Sequence, residues 1–352
     1  MATAPAVAPE VKPGRTPKKK LTRRVGVDRS QQIRRVVQVA FLALNVWIGT
    51  QFYLFVRHHE GAGPAVARPA GVEGWLPIAS LMNLKDWVLS GEIPRIHPAG
   101  MFLLLAFVAM SLVFRKAFCG WLCPVGTVSE FLWKIGRQTF RRNPAPPRWL
   151  DIPLRSLKYI LLGLFLYAVG SMPVEGIRQF LGSPYGLISD VKMLNFFRFL
   201  SLAGAVVLAV IIGLSFVVKN FWCRYLCPYG ALMGFFAALS PVRIRRNPDP
   251  CIDCAKCAKA CPSLLPVDRL VQIRSVECTG CMECVAVCPA EGALHLALTP
   301  RRRVSPWAVA AGIAVLFLGT VGWAKWTGHW DTPIPAAVYD RLIPEASLLT
   351  HP

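Results

Sequence analysis

Apolar residues along this chain gather in long unbroken blocks instead of recurring on one stripe of a helix or alternating along strands. Five blocks, at 36–56, 98–114, 156–172, 199–218 and 304–323, each approach the roughly 20 residues that a helix needs to cross a bilayer. Apolar on every side, they predict transmembrane helices. The stretch 72–91, VEGWLPIASLMNLKDWVLSG, mixes polar and apolar residues; its Trp75 and Trp87 predict a helix along the interface, as an aromatic anchor or as the rim of an entrance.

Charge then orders the blocks. The 352 residues are 54% hydrophobic and 17% charged, with a formal net charge of +21. Such an excess suits a nucleic-acid binder, but 31 of the 40 Lys and Arg residues lie in the segments 1–35, 115–158 and 219–303, which alternate with the apolar blocks. By the positive-inside rule these segments face the cytoplasm, and the C-terminal tail lies outside. The charge therefore sets topology, and no nucleic-acid partner is expected. The arm 1–35, with PKKKLTRR, is too polar for a cleaved signal and is expected to be a disordered tail that orients the chain and carries no chemistry; attraction to anionic lipid is the alternative.

All 12 cysteines fall in motifs on the expected cytoplasmic side, where thiols stay reduced, so metal or redox chemistry is expected before disulfides. CIDCAKCAKACP at 251–262 and CTGCMECVAVCP at 278–289 both read Cys-x2-Cys-x2-Cys-x3-Cys-Pro. With this spacing three thiolates of a tight loop hold one cubane and the fourth reaches across to the other. Cys251, Cys254, Cys257 and Cys288 are thus expected to hold one [4Fe–4S] cluster, and Cys278, Cys281, Cys284 and Cys261 a second. Zinc is the alternative, with sets built from Cys-x2-Cys pairs. The stretch 241–298 resembles the bacterial two-cluster ferredoxins; its longer linker, SLLPVDRLVQIRSVE, predicts an inserted turn or helix.

A second pattern repeats. SLVFRKAFCGWLCPVG at 111–126 and SFVVKNFWCRYLCPYG at 215–230 share Ser, Val, Cys, Leu, Cys, Pro and Gly at an offset of 104 residues. Two hairpins of like orientation imply a pseudo-two-fold axis along the membrane normal, which brings Cys119 and Cys123 to face Cys223 and Cys227. Pro124 and Pro228 disfavour helical geometry at the preceding cysteines and suit the first position of a new helix, whose dipole is expected to lower the thiol pKa. The four thiols fit a further metal centre or two redox dithiols. The plainer alternative is that proline and glycine only turn the chain.

Paired Cys-x3-Cys-Pro corners followed by a two-cluster ferredoxin domain resemble the polytopic iron–sulfur proteins related to the NapH quinol dehydrogenases, the C-terminal half of NosR and the FixG/CcoG proteins. The resemblance covers about 41–298. It implies a bacterial cytoplasmic-membrane protein passing electrons between the quinone pool and a redox partner, a quinol-dehydrogenase-type subunit. The last helix has a counterpart in the FixG/CcoG group, but the tail after it is too short for that group's β-sandwich, and no flavin-binding N-terminal domain of the NosR kind is present. The alternatives are a factor that reduces copper for a respiratory enzyme and a membrane redox sensor.

No Cys-x-x-Cys-His, glycine-rich dinucleotide fingerprint or P-loop appears, and none of the six histidines lies within an apolar block. Quinol oxidation needs polar groups beside a lipid-accessible cleft, and His97, Glu92, Asp86, Asn45 and Gln51 are the candidates, with membrane anchoring or helix–helix hydrogen bonding as the alternative role. Trp326, Trp330, His329 and His351 leave the tail as either a partner-docking segment or an inert extension. The expected architecture is an α-helical polytopic membrane protein of about five spans with a small α+β ferredoxin domain. Its parts are an arm (1–35), a four-helix domain (36–240), the ferredoxin domain (241–300), a fifth span (301–323) and the tail (324–352).

Overall fold

A computed structural model describes residues 21–141, 143–299 and 301–351. Helix α1 (Ser30–His59) begins ahead of the first apolar block. A short 3-10 turn and α2 (Pro77–Ser90) then cross one end of the molecule and lead into α3 (Pro98–Phe114). After the first cysteine corner come α4 (Pro124–Phe140) and α5 (Arg148–Ser171). The short helices α6 (Val174–Gly182), α7 (Pro184–Leu187) and α8 (Ser189–Arg198) precede α9 (Leu202–Val217), and the second corner leads into α10 (Pro228–Ala238).

Helices α11 (Lys256–Ala260) and α12 (Glu283–Ala286) lie between strands β1 (Arg243–Arg246) and β2 (Leu294–Ala297), which pair antiparallel from Arg243 opposite Ala297 to Arg246 opposite Leu294. The long linker contributes turns and one bridge, Arg245 to Gln272, and no helix. Helix α13 (Pro306–Trp326) and a final α14 (Ala336–Leu342) complete the chain.

By length and composition α1, α5 and α13 can each cross a membrane. The other two expected spans, α3 with 17 residues and α9 with 16, are shorter than the roughly 20 that span the hydrocarbon. After a break of three and four residues, each is followed by a π turn, Phe118–Leu122 and Trp222–Leu226, that leads toward the ferredoxin end. Helix α8 turns away from α9 by 82° and joins the cap at the opposite end.

Packing explains the contrast between the two short spans. Helix α3 is enclosed by α2, α10 and α13, and Ala99, Met101, Ala106 and Met110 have no exposed surface. The repeat places no counterpart of α13 beside α9, and Leu202, Val206 and Val210 remain exposed, as lipid-facing residues must. The repeats are also exchanged: α4 packs on α9, while α10 packs on α3.

Candidate functional site: three thiol-lined cavities

Both corners use the same local device. Pro124 and Pro228 hold Cys123 at φ −52°, ψ 119° and Cys227 at φ −75°, ψ 104°, out of the helical region, and the next helix starts at the proline. The cysteine then caps that helix, with its Sγ accepting from the Gly126 amide at 3.4 Å and the Gly230 amide at 3.2 Å. The π turns close through the Cys123 amide to the Phe118 carbonyl at 2.8 Å and the Cys227 amide to the Trp222 carbonyl at 3.0 Å. Cys119, Cys123, Cys223 and Cys227 all line one cavity, together with Lys116 and Glu277.

The ferredoxin cysteines sort into two further cavities. Cys261, Cys278, Cys281 and Cys284 line one; Cys251, Cys254, Cys257 and Cys288 line the other. In each, the fourth thiol comes from the opposite motif. Cys281 also borders the corner cavity, and Cys257 lies within electrostatic reach of Cys284. Four-thiol sites therefore run in sequence from the membrane corner to Cys254, which is exposed.

Among the described residues no His, Cys, Asp and Glu side chains form a group that could hold a single metal ion. The thiols stand around open space. Such rings suit a polynuclear cluster, whose irons keep the ligands apart, better than one tetrahedral zinc with sulfur at about 2.3 Å. The residues present thus fit iron–sulfur clusters.

The expected lowering of the corner thiol pKa values is overturned. Burial raises the Cys123 and Cys227 thiols despite the pull of the Gly126 and Gly230 amides at the helix starts. Desolvation exceeds the helix-end effect in a site this enclosed. The charge of a bound metal is what makes such thiols ligands.

Ionic groups tie the corners to the ferredoxin domain. Buried Arg34 of α1 binds Glu130 of α4 through both arms, at 2.6 and 2.7 Å, and reaches Glu283 of α12 at 2.9 Å. Glu277, beside the corner thiols, accepts from Lys158 at 2.6 Å and Tyr159 at 2.7 Å. Burial pushes the Glu277 carboxyl up, and Lys116 and Lys158 overcome this to hold it at about 2. Trp121 donates to the Gly280 carbonyl at 3.2 Å, and Arg224 binds Asp151 and the Ser263 carbonyl.

An apolar cavity of about 540 Å³ lies on the membrane side of the corners. A row of rings, Phe41, Phe317, Phe107, Phe118 and Tyr229, runs along it; Phe107 and Phe118 stack at 3.9 Å between centroids. One end carries Arg68, Trp75, Trp330 and Asp331, and the other ends on Cys123 and Cys227. Asn45 and Gln51 line its wall; His97, Asp86 and Glu92 do not. Asp86 and Glu92 instead bind Arg178, at 3.0 and 3.1 Å.

His97 belongs to an ionic cluster that the sequence concealed. At the end remote from the ferredoxin domain, Glu73 accepts from Arg68 at 2.9 Å and Thr332 at 2.6 Å and lies 3.3 Å from His97; Arg68 also binds Asp190 at 2.7 Å. The tail is thereby built into the fold. Tyr339 and Leu342 of α14 pack on Phe52, Phe55 and Val56 of α1. His351 lies tilted against Phe180 and edge-on to Tyr185, Trp330 lines the cavity, and Trp326 is exposed. The Arg68–Asp190 pair joins residues 122 apart in the chain and leaves no local signal. Residues 1–20, including the start of PKKKLTRR, lie outside the described residues.

A 4Fe–4S binding domain model matches the chain twice, at 96–143 and 200–247, and a 4Fe–4S dicluster domain model matches 243–289. The first two matches frame the two corners. YccM of Escherichia coli, named provisionally for electron transport, is 47% identical over 326 residues, covering 90% of this chain and 91% of that protein. The ferredoxin-type protein NapH of Haemophilus influenzae is 25% identical over 265 residues, 72% of this chain and 85% of its own. NirI of Paracoccus denitrificans is 31% identical over 227 residues, 62% of this chain and 32% of its own. No solved structure matches. With four-thiol sites beneath a bundle of apolar helices and a near full-length relative of this kind, the chain belongs to the ferredoxin-type membrane iron–sulfur proteins related to NapH, and its work is electron transfer.

Proposed function

We propose that the protein takes electrons from a quinol in the bilayer and delivers them to a redox partner at its ferredoxin domain. Cys251, Cys254, Cys257 and Cys288 would hold one [4Fe–4S] cluster, Cys261, Cys278, Cys281 and Cys284 a second, and Cys119, Cys123, Cys223 and Cys227 a third iron–sulfur centre. Bound there, such centres supply one-electron acceptance at potentials tuned by burial and hydrogen bonds. The four-helix domain (36–240) positions the donor, the ferredoxin domain (241–300) carries the exit, and α13 and the tail close the opposite side. By the charge distribution the ferredoxin domain faces the cytoplasm.

The observation that carries this proposal is the chain of shared walls. Cys123 and Cys227 border both the apolar cavity and the corner cavity, and Cys281 borders both the corner cavity and the next four-thiol site. Lys116 and Arg34 on the corner wall offset thiolate charge, while Glu130 and Glu277 hold those cations in place. An apolar donor has a place beside the first thiols, and a soluble partner can reach Cys254.

The test is anaerobic purification in detergent, iron and sulfide analysis, and stopped-flow mixing with menaquinol and ubiquinol analogues. Iron above the roughly eight atoms of two cubanes, with rapid bleaching by a quinol, is expected. Full iron loading without any response to quinol would sink the choice of donor.

A further inference from the structure

We propose that the quinol head group sits at the corner end of the apolar cavity, hydrogen-bonded to the hydroxyl of Tyr229. This rests on quinol being the donor. Phe118, Cys123, Val125, Trp222, Cys227 and Tyr229 line both the apolar cavity and the corner cavity, so they form the partition between them. The offset of 104 residues pairs these six: Phe118 with Trp222, Cys123 with Cys227, and Val125 with Tyr229. Two pairs match in kind. The third does not, and its departure places the partition's single hydroxyl beside the thiols.

That hydroxyl makes no hydrogen bond among the described residues, although the Tyr229 ring is held edge-on by Phe118 at 5.8 Å and Phe107 at 6.4 Å. A polar group in an apolar cavity wall is stabilised by a ligand that hydrogen-bonds to it. The ligand that satisfies it is flat, neutral and apolar with an oxygen on its ring, and the aromatic and aliphatic wall beyond suits an isoprenoid tail. Asn45, higher in the cavity, gives one of its two amide hydrogens to the Phe41 carbonyl at 2.8 Å and lies away from the thiols. Iron–sulfur centres held by the corner and ferredoxin thiols would accept the two electrons of the quinol one at a time, its two protons would leave to water, and quinone would remain; Tyr229 orients the oxygen and is not itself oxidised.

Tyr229→Phe tests this, with Tyr229→Val as the change to its repeat counterpart. Both variants are expected to keep their iron and their dithionite-reduced EPR spectrum. Quinone affinity, read from quenching of the cavity tryptophans by a menaquinone analogue, should fall about two- to tenfold in Tyr229→Phe, the worth of one hydrogen bond. The infrared carbonyl stretch of the bound quinone should be downshifted in the unmodified protein and lose that shift in the variant. Unchanged affinity and an unchanged stretch in Tyr229→Phe would overturn the head-group site while leaving quinol as donor. Absence of both quenching and reduction in the unmodified protein removes the donor itself, and the site with it. Should a variant lose iron, the stretch in the unmodified protein decides: a downshifted band supports the site and an unshifted one overturns it.

Discussion

A Cβ placed on Gly120 would lie 2.7 Å from the carbonyl oxygen of Thr279, so the first membrane corner and the second cysteine loop touch backbone to backbone. The matching position in the second repeat is Arg224, whose long side chain spans the equivalent gap. Gly120→Ala is expected to cost about 1–3 kcal/mol through overpacking. It should also slow electron entry into the ferredoxin domain without loss of iron, as read by stopped-flow bleaching beside a thermal melt.

Arg34 supports a comparable effect. It is 3% exposed and shared by Glu130 and Glu283, so Arg34→Ala leaves these two carboxylates with only the more exposed Lys134 between them. A loss of about 1.5–3 kcal/mol is expected, the worth of hydrogen bonds to charged groups, visible as a lower melting temperature and easier release of iron. Arg34→Lys should recover only part, because an ammonium cannot make the two-armed contact.

The cluster at the opposite end predicts a pH window. Burial pushes the Glu73 carboxyl up, but His97 and Arg68 pull it down to about 2, against an ordinary 4.5. Its contribution is therefore complete above about 4.5 and fades as pH falls toward 2. Burial lowers His97, yet Glu73 and Asp190 leave it above its ordinary 6.5, so its contribution is complete below 6.5 and fades as pH rises through the raised value. Thr332 and the tail should resist proteolysis best between about 4.5 and 6.5. Glu73→Gln should flatten that profile, and a variant with the full pH dependence would refute the cluster's role.

Cysteine substitutions should separate the sites. Cys123→Ser and Cys227→Ser are expected to remove only the iron in excess of about eight atoms and to abolish reduction by quinol, leaving dithionite reduction of the ferredoxin domain intact. Cys261→Ser should disturb the site of Cys278, Cys281 and Cys284 in preference to that of its own motif, by EPR. Loss of the other signal would refute the crossed arrangement.

What was legible in the sequence had a local cause. The 104-residue repeat announced two matched corners because proline and the cysteine spacing act within a few residues, and the grouping of the eight ferredoxin cysteines followed from loop geometry. The helix-end argument for low thiol pKa values failed because depth of burial is a tertiary quantity. Asn45 and Gln51 were found as polar residues in an apolar block, whereas Arg68 and Tyr229 carried no such mark: one lies in a loop, the other in a motif that explains itself without it. The length of α9 was overestimated because Phe199, Leu200 and Ser201 ahead of the helix and Val218 behind it extended its block.

The exchange of partners, α4 on α9 and α10 on α3, means that neither repeat completes a corner alone. Each half supplies the surface on which the other half's capping helix rests, as two subunits do across an isologous interface. The architecture is that of a symmetric dimer written into one polypeptide. Fusion frees it from exact symmetry, and the chain uses that freedom twice: α13 shelters one half, and a single phenol stands where the other half keeps a valine.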